Sequence, residues 1–248
     1  MAARRNIPEA VRALTARVDR AVREYRMLQP GDRLLVAVSG GADSMALLQI
    51  LSSRITLYAA GSSLRAVYVD LGFGAAAEAR CQTMRDYWHS LGVSGRILHT
   101  TIGPLAHSEV NRENPCFLCS RIRRKHLFAT AERFQCNKIA LGHHKDDLIE
   151  TLLLNMLFNR EISTSPPMLS VHGGRYHLIR PLLYVEETMV KAYAAECRVP
   201  VFGQECPSDG ASKRQEIKEW LAALEQTHPG CRENLFQAMR RVKKDYLL

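Results

Sequence analysis

Apolar and polar positions along this chain fall into blocks whose period shifts between helical and extended. From Ile7, apolar residues recur at Val11, Leu14, Val18, Val22 and Tyr25, with arginines on the intervening face. Spacings of three and four predict an amphipathic docking helix. Pro30-Gly31-Asp32 ends it, and the apolar run from Leu34 predicts a buried parallel strand at the centre of a sheet. Leu64 to Asp70 reads as a second strand, Ala75 to Leu91 as a helix, and the stretch near Arg96 to Thr100 as a third strand. A polar loop through His107 and Asn114 leads to a helix opening at Pro115-Cys116. Lys138 to Leu141 is a short strand and Leu148 to Phe158 a helix. Beyond Asn159 the chain becomes polar through Ser163 to Gly174. Helices near Glu186 to Cys197 and Lys213 to Leu224 flank a Gly- and Pro-marked loop, and a last helix ends in Met239-Arg240-Arg241-Val242-Lys243-Lys244.

The β-α-β-α order predicts an α/β fold with a doubly wound, Rossmann-like parallel sheet and helical additions at both ends. The expected division is a helical segment at 1–30, the main domain at 31–185 and a helical segment at 186–248. Ligands of such sheets collect beyond the carboxyl ends of the strands.

The loop Ser39-Gly40-Gly41-Ala42-Asp43-Ser44 joins the first buried strand to a helix start. Two glycines permit close backbone approach, and free N–H groups with the helix dipole attract a phosphate. The loop lacks the Gly-Lys-Ser/Thr ending of a Walker loop and the spacing of a dinucleotide fingerprint. Asp70, at the end of the second strand, is a candidate ribose or metal contact, or equally a turn former. Gly142-His143-His144-Lys145-Asp146-Asp147 follows a buried strand. Its carboxylates suit either helix capping or magnesium.

Lys and Arg total 34 against 25 Asp and Glu in 248 residues, a net charge of +9. That balance favours a polyanion partner, RNA first, over a merely solvated basic surface. Arg180 and the basic end of the last helix are candidate contacts. No apolar run approaches the roughly twenty residues of a membrane span. The Arg-rich start is interrupted by Glu9, Asp19 and Glu24, unlike a presequence, so a cytoplasmic location is expected. Seven cysteines without an export signal argue for metal or sulfur chemistry rather than disulfides. Cys116 and Cys119 at a helix start suit zinc, redox or iron–sulfur roles. Cys206, in the loop Gly203 to Gly210, is the best-placed third ligand. Cys81, Cys136, Cys197 and Cys231 read as packing residues.

Four stretches in this order resemble the tRNA 2-thiocytidine synthetase family of the N-type ATP pyrophosphatases. They are VAVSGGADS (36–44), CFLCSRIRR (116–124), LGHHKDDLIETLLLNM (141–156) and CPSDGASKRQ (206–215). The resemblance implies the adenine nucleotide alpha hydrolase-like fold and ATP-dependent thiolation of an anticodon-loop cytidine. It also implies a 4Fe-4S cluster on Cys116, Cys119 and Cys206, leaving one iron without a protein ligand. ATP would lie on Ser39, Gly40, Gly41, Asp43, Ser44, Asp70, Gly142 and His143, with Mg2+ on Asp43 and Asp146. Arg123, Arg124 and His144 complete the expected catalytic set, the arginines stabilising phosphate charge and the histidines positioning. tRNA and a cysteine desulfurase or other sulfide source are the implied partners, and a homodimer stays open. Ala42 stands where the family carries Lys, and Gly203 where it carries a second cysteine. The chain also lacks the family's longer carboxyl tail. Two alternatives remain: sulfur transfer to another RNA base or a small molecule, and a cluster-bearing RNA-binding or redox-sensing protein without adenylation.

Overall fold

The computed structural model of the chain describes residues 7–74, 76–203, 206–208, 210 and 212–246, without the side chain of Lys244. Ala75, Gln204, Glu205, Asp209 and Ala211 of the stretches above lie outside these. The elements in chain order are α1 (Glu9–Glu24), β1 (Arg33–Val38), α2 (Ala42–Tyr58), β2 (Ser63–Asp70), α3 (Ala77–Ser90), β3 (Ser94–His99), α4 (Ile102–Ala106) and α5 (Pro115–Arg133). There follow β4 (Lys138–Ala140), α6 (Lys145–Leu154), β5 (Met168–Val171), β6 (Tyr176–Ile179), α7 (Glu187–Glu196), α8 (Lys213–Thr227) and α9 (Cys231–Arg240).

Two compact units emerge, residues 1–144 with 167–209, and 145–166 with 210–248. The first holds a six-stranded sheet in the order β3-β2-β1-β4-β6-β5. β2 and β3 lie to one side of β1 and β4 to the other, so the switch point lies between β1 and β4, where their following loops diverge. Leu34, Leu35 and Val36 of β1 and Ile139 and Ala140 of β4 are fully buried, which is why both strands read as continuous apolar runs. Leu35, Val67, Ile139 and Leu178 pack under Ala131 of α5. On α1, Leu14, Val18 and Ala21 are fully buried, and the helix packs against α2 and α7 as its stripe requires.

Three local expectations are corrected. The sheet is mixed, because β5 pairs antiparallel with β6 across a turn in which His172, Gly173 and Gly174 all have positive φ. Met168, Leu169 and Ser170 are exposed on this edge strand, so no alternation marked it. The polar loop before Pro115 contains the short helix α4. The helix expected to run to Phe158 is α-helical only to Leu154 and widens into a π turn over Asn155–Asn159. There the Asn155 amide donates to the Ser163 carbonyl, and Asn159 to Asn155.

The second unit is helical. Its α6 packs against α8 and α9, and buried acidic groups on α6 meet basic partners. Asp146 accepts from Arg232 at 2.7 Å, Glu150 from Arg214 at 3.0 Å, and Lys145 donates to Glu233 at 2.5 Å.

Candidate active site

The loop after β1 is braced from within. The Ser39 N–H donates to Ser44 Oγ at 3.0 Å, and that hydroxyl donates to the Gly41 carbonyl at 3.1 Å. Ser44 is buried and holds the loop's curvature, whereas Ser39 is exposed. Gly40 has φ +89, a left-handed conformation in which a side chain is strained, and its carbonyl accepts from the Phe202 N–H at 2.9 Å. A Cβ on Gly40 would stand 3.0 Å from the Phe202 ring. The segment leading to Cys206 is thereby fastened to the phosphate loop.

The loop after β4 approaches from the other side of the switch point. A Cβ on Gly142 would lie 3.0 Å from the Ser44 nitrogen and 3.1 Å from its Cα, so glycine is what permits the two loops to touch. His144 is buried, with Nε2 3.8 Å from Asp43 Oδ1. His143 Nδ1 accepts from Arg180 Nε at 3.1 Å. That leaves any ring proton of neutral His143 on Nε2. Arg180 is buried, and burial together with the positive charge of Arg124 pulls its pKa down to about 10. It remains charged at neutral pH. Asp146, expected beside these groups, has its carboxylate occupied by Arg232 within the second unit.

One cleft in the first unit is lined by Val38, Ser39, Asp70, Arg80, Arg123 and Cys206, among others. The phosphate loop, the acidic strand end, a cationic side chain from the helix of CFLCSRIRR and the loop cysteine therefore share a cavity. Asp70 is buried, its Oδ1 accepting from the Gly72 N–H at 3.3 Å.

Asn114 caps α5 by accepting from the N–H groups of Cys116 and Phe117 at 3.0 and 3.3 Å, and Pro115 opens the helix. The cap fixes the turn that carries both cysteines. Cys116 is exposed, and Cys119 and Cys206 are half-buried. Burial raises the Cys119 pKa, Arg123 lowers it, and Cys206 and Cys116 raise it further. Cys119 thus lies within electrostatic reach of both other thiols. The three are not among the described groups whose ligand atoms converge within 4.8 Å, the grouping that suits a single ion. Three free thiols, two at the start of a helix and one on a loop lining the same cleft as Arg123 of that helix, suit the cysteine ligation of an iron–sulfur cluster.

Of the remaining cysteines, Cys81 and Cys136 are buried, and Cys231 Sγ lies 3.0 Å from Glu225. Phe202 and Arg80 were not singled out from sequence. Phe202 acts through its backbone N–H, which leaves no side-chain signature, and Arg80 lies on a helix face whose direction needs the fold.

A PP-loop domain model matches residues 12–224. The chain is similar to the tRNA-cytidine(32) 2-sulfurtransferase of Methylobacillus flagellatus, with 34% identity over 95% of this chain and 77% of that protein. It is likewise similar to that of Alkalilimnicola ehrlichii, at 38% identity over 92% and 72%. Among solved structures it is similar to the U34-tRNA thiolase NcsA of Methanococcus maripaludis with its 4Fe-4S cluster. The TM-score is 0.76, with 21% identity over 94% of this chain and 78% of that one, a likeness of fold. The NH3-dependent NAD synthetase of Campylobacter jejuni shares the fold more distantly, with a TM-score of 0.53 and 14% identity over 94% and 92% of the two chains. The chain belongs to the PP-loop family, and within it to that of the tRNA-cytidine(32) 2-sulfurtransferases.

Proposed function

We propose that this protein is an ATP-dependent sulfurtransferase that converts an anticodon-loop cytidine of tRNA to 2-thiocytidine. The observation that carries the reading is the single cleft lined by Ser39, Asp70, Arg123 and Cys206. That shared lining supports a reading in which ATP and a cluster cysteine meet in one reaction volume. In this reading the triphosphate lies against the N–H groups of Ser39, Gly40 and Gly41 at the start of α2, where the helix dipole favours negative charge. Asp70 receives the ribose at Oδ1, leaving the Oδ2 that faces His99 outside the nucleotide contact, and Asp43, half-exposed beside His144, is the carboxylate for Mg2+.

The cytidine O2 attacks the α-phosphorus and pyrophosphate leaves. AMP is then bonded to C2 through that oxygen. Arg123 stabilises charge on the phosphate oxygens, supplying the cation that Ala42 lacks; one such donor is worth about 3 kcal/mol. Attack by sulfide at C2 breaks the C2–O bond and releases AMP. Cys116, Cys119 and Cys206 would hold a 4Fe-4S cluster, whose chemistry when bound would be the supply of that sulfur, with a cysteine desulfurase or another sulfide source replenishing it. His143 and His144 position the loops rather than move protons, since sulfide arrives ionised. A cytoplasmic location accords with the tRNA substrate, and no helix among the described residues is long and apolar enough to cross a membrane.

Anaerobically purified, cluster-loaded protein supplied with ATP, sulfide and tRNA should release AMP and pyrophosphate and form 2-thiocytidine. AMP release indifferent to tRNA, with no thiolated nucleoside formed, would overturn the reading.

A further inference from the structure

We propose that Asp70, Cys81 and His99 form a binding site for a zinc-type divalent cation, separate from the cluster cysteines. The parallel register of β2 and β3 sets Asp70 beside His99 at the carboxyl ends of the two strands. Cys81 comes from α3, the helix connecting those strands, and the three supply one carboxylate, one thiol and one imidazole. One ligand atom from each lies within 4.8 Å of the other two, the sole such group among the described residues. Asp70 Oδ2 and His99 Nδ1 are 3.5 Å apart. With metal–ligand bonds of about 2.0–2.3 Å, neighbouring ligands of a tetrahedral site stand roughly 3.3–3.8 Å apart. One edge of the site therefore already has the required length.

The donor set selects the ion. A thiolate with an imidazole and a carboxylate suits zinc and disfavours magnesium or calcium, which take oxygen ligands. Cys81 is fully buried and Asp70 nearly so, whereas His99 is 56% exposed, so a cation enters past the imidazole. Three protein ligands leave a fourth position for water. The neighbouring arginines have partners of their own. Arg80 donates to the Phe73 carbonyl at 2.6 Å and bonds Tyr68, and Arg85 pairs with Glu78.

The test uses anaerobic, cluster-loaded protein equilibrated with buffered zinc, with iron and zinc measured in the same sample. Wild type should carry about one zinc per chain without loss of iron. Zinc content should fall at least roughly fivefold in C81A and in H99A. Because His99 is exposed, H99A tests the site without disturbing the interior, and thermal unfolding of C81A checks that it folds. Zinc-edge X-ray absorption should show one sulfur with nitrogen and oxygen neighbours. Equal zinc in wild type and H99A, no zinc in wild type, or a shell of three sulfurs from displaced cluster would overturn the proposal.

Discussion

The Phe202 N–H donates to the Gly40 carbonyl at 2.9 Å, which ties the backbone four residues before Cys206 to the phosphate loop. Gly40 meets this bond in a left-handed conformation, φ +89, under the Phe202 ring. G40A should destabilise the protein by about 1–2 kcal/mol through strain at positive φ. It should lower both ATP binding and cluster occupancy, read by calorimetry and iron content. F202A keeps the N–H and should retain the cluster. Normal ATP and iron binding by G40A would show that the tie is dispensable.

The cysteines divide sharply in their expected effects. C116A, C119A and C206A should each abolish the visible iron absorption of reconstituted protein. C136A and C231A should keep it, since Cys136 is buried in the core cluster and Cys231 faces Glu225. Full retention of the cluster in C206A would mean that another group is the third ligand.

Arg180 is a buried cation whose burial costs stability and whose Nε holds His143. Methionine fills similar volume but leaves His143 Nδ1 without that donor, so R180M should destabilise the protein by about 1–3 kcal/mol. Released from Arg180, His143 loses its fixed orientation. AMP release should fall at least tenfold, about 1.4 kcal/mol of barrier. Thermal unfolding and single-turnover AMP release on the same sample separate the two effects.

In the second unit, burial raises the Glu150 pKa above its ordinary 4.5 despite the lowering by Arg214. A carboxyl raised on folding holds its proton in the native state after the unfolded chain has lost it. Its stabilising contribution is therefore present below about pH 4.5 and is lost as pH rises through the folded value. E150Q keeps an acceptor for Arg214 without the charge. It should exceed wild type in stability at pH 7, and the gap should narrow toward pH 4.5 in chemical unfolding. A gap independent of pH would contradict the assignment.

Much of the first unit was legible from local pattern. The fully buried β1 and β4 appear as uninterrupted apolar runs, and the glycines at 40 and 142 mark the two loops that meet beside Ser44. The α5 start was legible through Pro115 and the paired cysteines, and its cap is Asn114. What escaped depends on long-range geometry or on exposed edges. Strand β5 has no buried face to impose a period. The π turn after Leu154 depends on the Asn155–Ser163 bond, and the bracing of the phosphate loop by Ser44 depends on how the turn folds back. The convergence of Asp70, Cys81 and His99 is a product of strand register, which spacing along the chain does not encode.

If this chain makes 2-thiocytidine in tRNA, the cell's content of that nucleoside depends on its gene. The direct measurement is mass spectrometry of nucleosides from bulk tRNA of the source organism, with the gene intact, deleted, and restored as wild type or C206A. 2-Thiocytidine should disappear on deletion, return with the wild-type gene and stay absent with C206A. Unchanged 2-thiocytidine in the deletion strain would contradict that function.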